Sequence, residues 1–162
     1  MTVILVRHGR STANTSGVLA GRTPGVSLDD KGREQAAALI DRLGVCMSEI
    51  AAVARSPLDR CAQTVAPLIA AFDADTERDV PELVVDALAE VDYGEWTNRP
   101  LKELVSEPLW KTVQQHPSAA VFPVGRGWRA SRRALSRRFA TSTGCTVART
   151  AAGSGWHVHT AT

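Results

Sequence analysis

The stretch Thr2-Val3-Ile4-Leu5-Val6-Arg7-His8-Gly9-Arg10-Ser11 runs five strand-forming residues straight into Arg-His-Gly. A continuous apolar run of this kind reads as a buried parallel strand. In α/β proteins ligands bind beyond the carboxyl ends of such strands, and there this sequence sets an imidazole beside a guanidinium. A buried strand has no structural need of either group at its tip. A histidine held next to a fixed positive charge suits attack on an anion, phosphate first among them. Gly9 lets backbone approach a ligand closely.

The same grammar repeats downstream. Ile50-Ala51-Ala52-Val53-Ala54 is a second strand candidate, and Ser56-Pro57 breaks it and opens a helix, where proline is tolerated in the first turn. Cys61, Val65, Leu68, Ile69 and Phe72 line that helix's apolar face, with Pro67 expected to kink it or shift its start. After an acidic connector over 73–81, Leu83-Val84-Val85 reads as a third strand. Between the first two strands, Ser27-Leu28-Asp29-Asp30 resembles a capping box. Ala36, Leu39, Ile40 and Leu43 then follow the spacing of one helix face. A loop over 92–96 and short helices near 100–105 and 107–115 complete the pattern. Strands alternating with helices predict an α/β sheet with right-handed crossovers.

Polar chemistry follows each strand. Arg7, His8 and Asn14 follow the first, Arg60 the second, and Glu90 the third, with Asp92 and Glu95 close by. All of them could converge on one edge of the sheet. Phosphoryl transfer to a side chain needs a nucleophile, cationic clamps for the oxygens and an acid for the leaving alcohol. His8 can supply the first, Arg7 and Arg60 the second through forked hydrogen bonds, and Glu90 the third. Asn14 is either a phosphate ligand or the cap of a turn. Asp92 and Glu95 compete with Glu90 as ordinary solvated acids. Trp96 and Trp110 read as packing residues and His116 as a surface loop residue. No cluster of acids suggests magnesium, so a route without metal or cofactor is expected.

The 162 residues fit one domain with a real core. Three cysteines, Cys46, Cys61 and Cys145, lack metal-ligand spacing and read as reduced thiols. With no signal-peptide pattern and no apolar run long enough to span a bilayer, a cytoplasmic protein without membrane contact is expected. The net charge of +2 hides a sharp asymmetry. Residues 1–123 hold all 17 acids against 12 basic residues, whereas 124–162 hold seven arginines, no lysine and no acid. That second part shows no apolar period and is expected to be a poorly ordered tail.

Four of these segments together resemble the histidine phosphatase superfamily, also called phosphoglycerate mutase-like. They are Leu5-Val6-Arg7-His8-Gly9-Arg10-Ser11 with Asn14; Leu28 with Lys31-Gly32-Arg33-Glu34-Gln35-Ala36; Ser56-Pro57-Leu58 with Arg60 and Gln63-Thr64; and Leu88, Glu90, Gly94 and Trp96. The resemblance covers about residues 2–123. It implies a three-layer α/β/α sandwich with a mainly parallel sheet, incomplete at the C-terminus, and hydrolysis of small phosphomonoesters through a phosphohistidine on His8. The Glu90 loop looks like the phosphatase branch, and Ala13 stands where mutases usually carry tryptophan. Mutase-type phosphotransfer is the alternative. The partner expected is a small phosphorylated substrate, and a homodimer is a common assembly in the family.

The resemblance also implies a second histidine in a His-Gly motif, which this chain does not match. His157 and His159 are the substitutes on offer, so impaired activity is expected. Dropping two bases from the codons of residues 155–162 permits Val-Ala-Cys-Thr-His-Gly-Asp, the family's second-histidine motif. The same shift over 124–130 permits Gly-Glu-Gly-Leu-Ala. A frameshift near codon 124 is therefore expected. The rival readings are a basic arm for nucleic acid, which lacks any recognisable binding motif, and a non-catalytic module that senses a phosphorylated ligand.

Overall fold

A computed structural model describes residues 3–124 and the segments 146–148 and 159–161. The opening run forms β1 (Val3–Leu5), and its alternation places side chains on both faces of the sheet. Ile4 and Val6 enter a core with Leu39, Leu43, Ile50, Val53, Val65, Leu68 and Phe72. Val3 and Leu5 pack on the opposite face near Ala54 and Leu88. A strand that buries both faces is what its unbroken apolar run implied.

Two short helices follow, α1 (Thr12–Ser16) and α2 (Asp30–Ala37), and then α3 (Leu39–Leu43) and a 3₁₀ stretch over Gly44–Glu49. The single helix expected across Ala36–Leu43 is thus broken at Ala38, yet Ala36, Leu39 and Leu43 are all buried as its face required. The cap also differs from expectation. Asp29, not Ser27, caps α2, its side chain accepting the Gly32 N–H at 2.8 Å. Asp29 also accepts from Arg10 Nε at 2.6 Å and Thr15 Oγ1 at 2.7 Å, so it joins the loop after β1 to the start of α2.

The Thr15 hydroxyl, the Gly32 N–H and the Arg10 guanidinium together hold the Asp29 carboxyl below its ordinary value of 3.8, against a smaller opposing push from burial. A carboxylate depressed in this way stabilises the fold above its unfolded pKa and loses that contribution as pH falls through the folded one. Asparagine caps a helix as well as aspartate does, so Asp29→Asn isolates the charge. The variant is expected to unfold at lower urea than the parent at neutral pH, with the gap narrowing by about pH 3. Urea midpoints at the two pH values check this.

β2 (Ala52–Arg55) lies two residues beyond the expected start, and α4 (Asp59–Asp73) begins after Pro57 rather than with it. Pro67 lies inside α4, which continues through it without a shifted start. The apolar face of α4 is buried as expected at Cys61, Val65, Leu68 and Phe72. β3 (Glu82–Val84) is an exposed strand, followed by a 3₁₀ turn over Asp86–Leu88 and another over Gly94–Trp96. Leu104 of α5 (Leu101–Leu104) is buried in a second cluster with Val91, Trp96, Ala120 and Phe122, against which Leu109, Trp110 and Val113 of α6 (Pro108–Gln115) pack. Trp96 stacks on Trp110 at 6.2 Å, so both tryptophans pack as expected.

Two strands arise where the sequence shows no period. β4 (Thr146–Ala148) runs parallel between β1 and β2, and β5 (His159–Ala161) runs antiparallel beside β1. The order is β3-β2-β4-β1-β5, parallel but for β5. The last strand expected from sequence was the third, so these two correct the strand count and fill the centre and one edge of the sheet. The poorly ordered tail and the frameshift concern a segment that otherwise lies outside the described residues, as do Cys145 and His157. Cys46 and Cys61 are free thiols. No helix among the described residues is long and apolar enough to cross a membrane.

Candidate active site

Arg7, His8, Asn14, Arg60 and Glu90 all line one cavity of about 510 Å³. The convergence expected from their places after successive strands is therefore observed. His8 lies three residues past β1. Its Nδ1 is 2.7 Å from the Gly9 carbonyl oxygen, a contact that only an Nδ1–H donor can make. The tautomer follows from that bond, and it leaves the Nε2 lone pair outward. Arg60 Nε donates to Nε2 at 3.2 Å, so guanidinium and imidazole meet within the cavity lining.

Arg60 is in the first turn of α4 and only 3% exposed. Its Nη2 donates to the Gly21 carbonyl at 2.8 Å and lies 3.7 Å from Glu90 Oε2. Thr64, one turn on, donates its hydroxyl to the Arg60 carbonyl at 2.6 Å and accepts the Gly9 N–H at 3.0 Å. The His8 loop is thereby bolted to the helix that carries Arg60. The N-terminus of α4 adds a partial positive charge on the same side.

Glu90 is 8% exposed, in contrast to a solvated loop acid. Its Oε1 accepts from the Val91 N–H at 3.2 Å and the Tyr93 hydroxyl at 3.4 Å. Its backbone carbonyl accepts from Arg22 Nε. Asp92 and Glu95 are absent from the cavity lining, and Asp92 instead accepts the Gly94 N–H at 3.1 Å. Of the three acids, Glu90 is the one that lines the cavity.

Asn14 is a cap, the second of its two expected readings. Its Oδ1 accepts from the Ser11 N–H at 3.0 Å and the Ser11 hydroxyl at 2.9 Å, forming the capping box of α1. Asn14 also lines the cavity. His116 is exposed at the end of α6 and is not itself a lining residue of the cavity. His159 is placed by its backbone opposite Leu5 in the sheet register. Among the described residues, no group of three or more His, Cys, Asp or Glu side chains is arranged to hold a metal.

Sequence reasoning missed Arg22 and Tyr93, whose bonds hold the Glu90 segment. Tyr93 lies three residues after Glu90 and could have been suspected from that spacing. Arg22 sits in a loop far from Glu90 in sequence, and no local signal connects them.

Comparison with known proteins bears on the whole arrangement. The model of the histidine phosphatase superfamily (branch 1) matches residues 3–155. The uncharacterized protein Rv0525 of Mycobacterium tuberculosis is 44% identical over 85 residues, which span 52% of this chain and 40% of that protein. The adenosylcobalamin/alpha-ribazole phosphatase of Salmonella typhimurium is 31% identical over 142 residues, spanning 85% of this chain and 64% of the enzyme. This chain therefore spans less than two thirds of the length of either relative. A putative alpha-ribazole-5'-P phosphatase from Escherichia coli superposes with a TM-score of 0.70 at 24% identity, covering 92% of this chain and 72% of that one. Bacillus stearothermophilus YhfR superposes at 0.72 and 22% identity, covering 91% and 73%. The two superpositions establish a shared α/β fold. Since the superfamily model extends from the first residues of β1 to residue 155, the chain belongs to the histidine phosphatase superfamily.

Proposed function

We propose that this chain hydrolyses small phosphomonoesters through a phosphohistidine on His8. The observation that carries the reading is the His8 tautomer: Nδ1 is tied to the Gly9 carbonyl, and Nε2 faces Arg60 inside the cavity that also holds Glu90. Phosphatase names among the relatives, including the Salmonella enzyme and a probable phosphatase of Schizosaccharomyces pombe, support it.

In this reading Arg7 and Arg60 take the phosphate oxygens, and the phosphate displaces the Arg60–His8 contact. Nε2 attacks phosphorus while the bond to the alcohol oxygen breaks. Glu90, entering protonated, gives its proton to that oxygen. Water then attacks the phosphohistidine, its proton passes to the Glu90 carboxylate, and the P–N bond breaks to release phosphate. The arginines supply the charge stabilisation, and no step is assigned to a metal or cofactor.

Release of inorganic phosphate from p-nitrophenyl phosphate tests the activity; no release by the intact chain would refute it. Glu90→Gln tests the acid. Hydrolysis of alkyl phosphates, whose alcohols leave poorly, is expected to slow by about 10²–10³-fold. Hydrolysis of p-nitrophenyl phosphate, whose anion leaves unaided, should slow much less in its first step. Equal loss on both substrates would assign Glu90 a binding role instead.

A further inference from the structure

The phosphohistidine reading uses one end of a cavity whose remainder is chemically distinct. Among the described residues, the charged and imidazole groups in the lining are Arg7, His8, Arg60 and Glu90, all at the reaction centre. The rest of the wall is built largely from Val18, Leu19, Leu101, Val113, Ala120 and Phe122. At about 510 Å³ the space is far larger than a phosphate group needs and falls within the range of ordinary small-molecule sites.

This wall is held in place. Leu19 donates its N–H to the Arg99 carbonyl at 3.0 Å, the Asn98 N–H returns to Leu19 at 2.8 Å, and Leu101 donates to Gly17 at 2.8 Å. A short ladder thus fixes Val18, Leu19 and Leu101 along one side. On the other, Phe122 meets Tyr93 edge to face at 5.0 Å and Trp96 at 5.3 Å. Tyr93 joins the two regions, since its ring contacts Phe122 and its hydroxyl reaches Glu90. The apolar wall therefore begins beside the acid assigned to the leaving oxygen, where the alcohol of a substrate must lie.

We infer that this site selects phosphomonoesters whose alcohol is neutral and apolar, aryl esters in particular, an inference that rests on the proposed hydrolysis. An aromatic alcohol would exchange water for ring and aliphatic contacts. A carboxylate or second phosphate on the alcohol would lose hydration against that wall, with no described cation there to receive it.

Phenyl phosphate and 4-carboxyphenyl phosphate separate the effects, because the carboxylate does not make the phenol a poorer leaving group. The expected kcat/KM is about 10²-fold higher for phenyl phosphate. Leu101 opens α5 and is 38% exposed, so a longer side chain can be accommodated there. Leu101→Arg is expected to raise kcat/KM for the carboxylated ester at least about tenfold, chiefly through KM, and to lower it for phenyl phosphate. Turnover of both esters at equal rates, or faster turnover of the charged one, would overturn the selection and leave hydrolysis standing. If neither is turned over, the hydrolysis reading falls, and calorimetric binding of phenylphosphonate against 4-carboxyphenylphosphonate decides the selection by itself. Tighter binding of phenylphosphonate by the parent chain, reversed in Leu101→Arg, supports it, and equal binding overturns it.

Discussion

Replacing His8 with alanine is expected to lower phosphomonoester turnover by about 10⁴-fold or more. The size of the effect follows from what else the cavity offers. Ser11 lines it but is buried, and its hydroxyl donates to Asn14 Oδ1 while accepting the Asn14 N–H. Tyr93 directs its hydroxyl to Glu90. Neither has its oxygen hydrogen-bonded to a guanidinium as His8 Nε2 is to Arg60. With the imidazole gone, no other lining group among the described residues takes over the attack. The assay needs a sensitive phosphate readout to resolve a loss of this size. A radiolabelled substrate adds a second measurement: the parent should carry an acid-labile, base-stable phosphoryl group, and His8→Ala should carry none. Binding of inorganic phosphate should persist in the variant through Arg7 and Arg60, showing that the cavity survives. Residual turnover within tenfold of the parent would move the nucleophile elsewhere.

The parts of this site that were legible in sequence share one property: each lies in the segment that follows an apolar run. Strand ends advertise themselves because a buried strand excludes charge, so Arg7, His8, Arg60 and Glu90 stood out against their neighbours. The same contrast identified β1, β2 and β3 to within about two residues. What stayed hidden was built from contacts between distant segments. Val18, Leu19, Leu101, Val113 and Phe122 form one wall, yet they share no period and lie in separate turns and helices. The choice of Asp29 over Ser27 as the cap of α2 depends on Arg10 and Thr15, which reach it across the fold. The break at Ala38 has no proline or glycine to announce it. β4 pairs on both sides with strands far away in sequence, and three residues of Thr-Val-Ala carry too little pattern to betray a central strand.

Gly32→Ala supplies the sharpest test of how the His8 loop is positioned, because two physical effects there have opposite signs. Gly32 is inside α2, where glycine costs about 1 kcal/mol relative to alanine in an exposed helix. On propensity alone the substitution should stabilise. The structure reverses that expectation. A β-carbon at Gly32 would lie 2.0 Å from the Arg10 carbonyl oxygen and 2.9 Å from Arg10 N. These are backbone atoms, so no side chain can rotate away to make room. The reverse approach is equally close: a β-carbon at Gly9 would lie 2.6 Å from the Gly32 carbonyl oxygen. Two glycines without side chains therefore let the loop after β1 rest directly on α2. Admitting a methyl group means moving that loop, along with the Arg10–Asp29 and Gly9–Thr64 bonds that fix it. Overpacking of this kind costs about 1–3 kcal/mol, and the backbone contact puts the expectation at the upper end, well beyond the propensity gain. Urea unfolding of Gly32→Ala against Ala37→Gly, which removes an exposed methyl group from the same helix, reads the sign. The first should lose more stability than the second, although only the second lowers helix propensity. It should also lose turnover, since His8 Nε2 and Arg60 would no longer meet. A more stable Gly32→Ala protein with unchanged turnover would show that α2 can shift without disturbing the loop, and the close glycine contact would then have no part in placing His8.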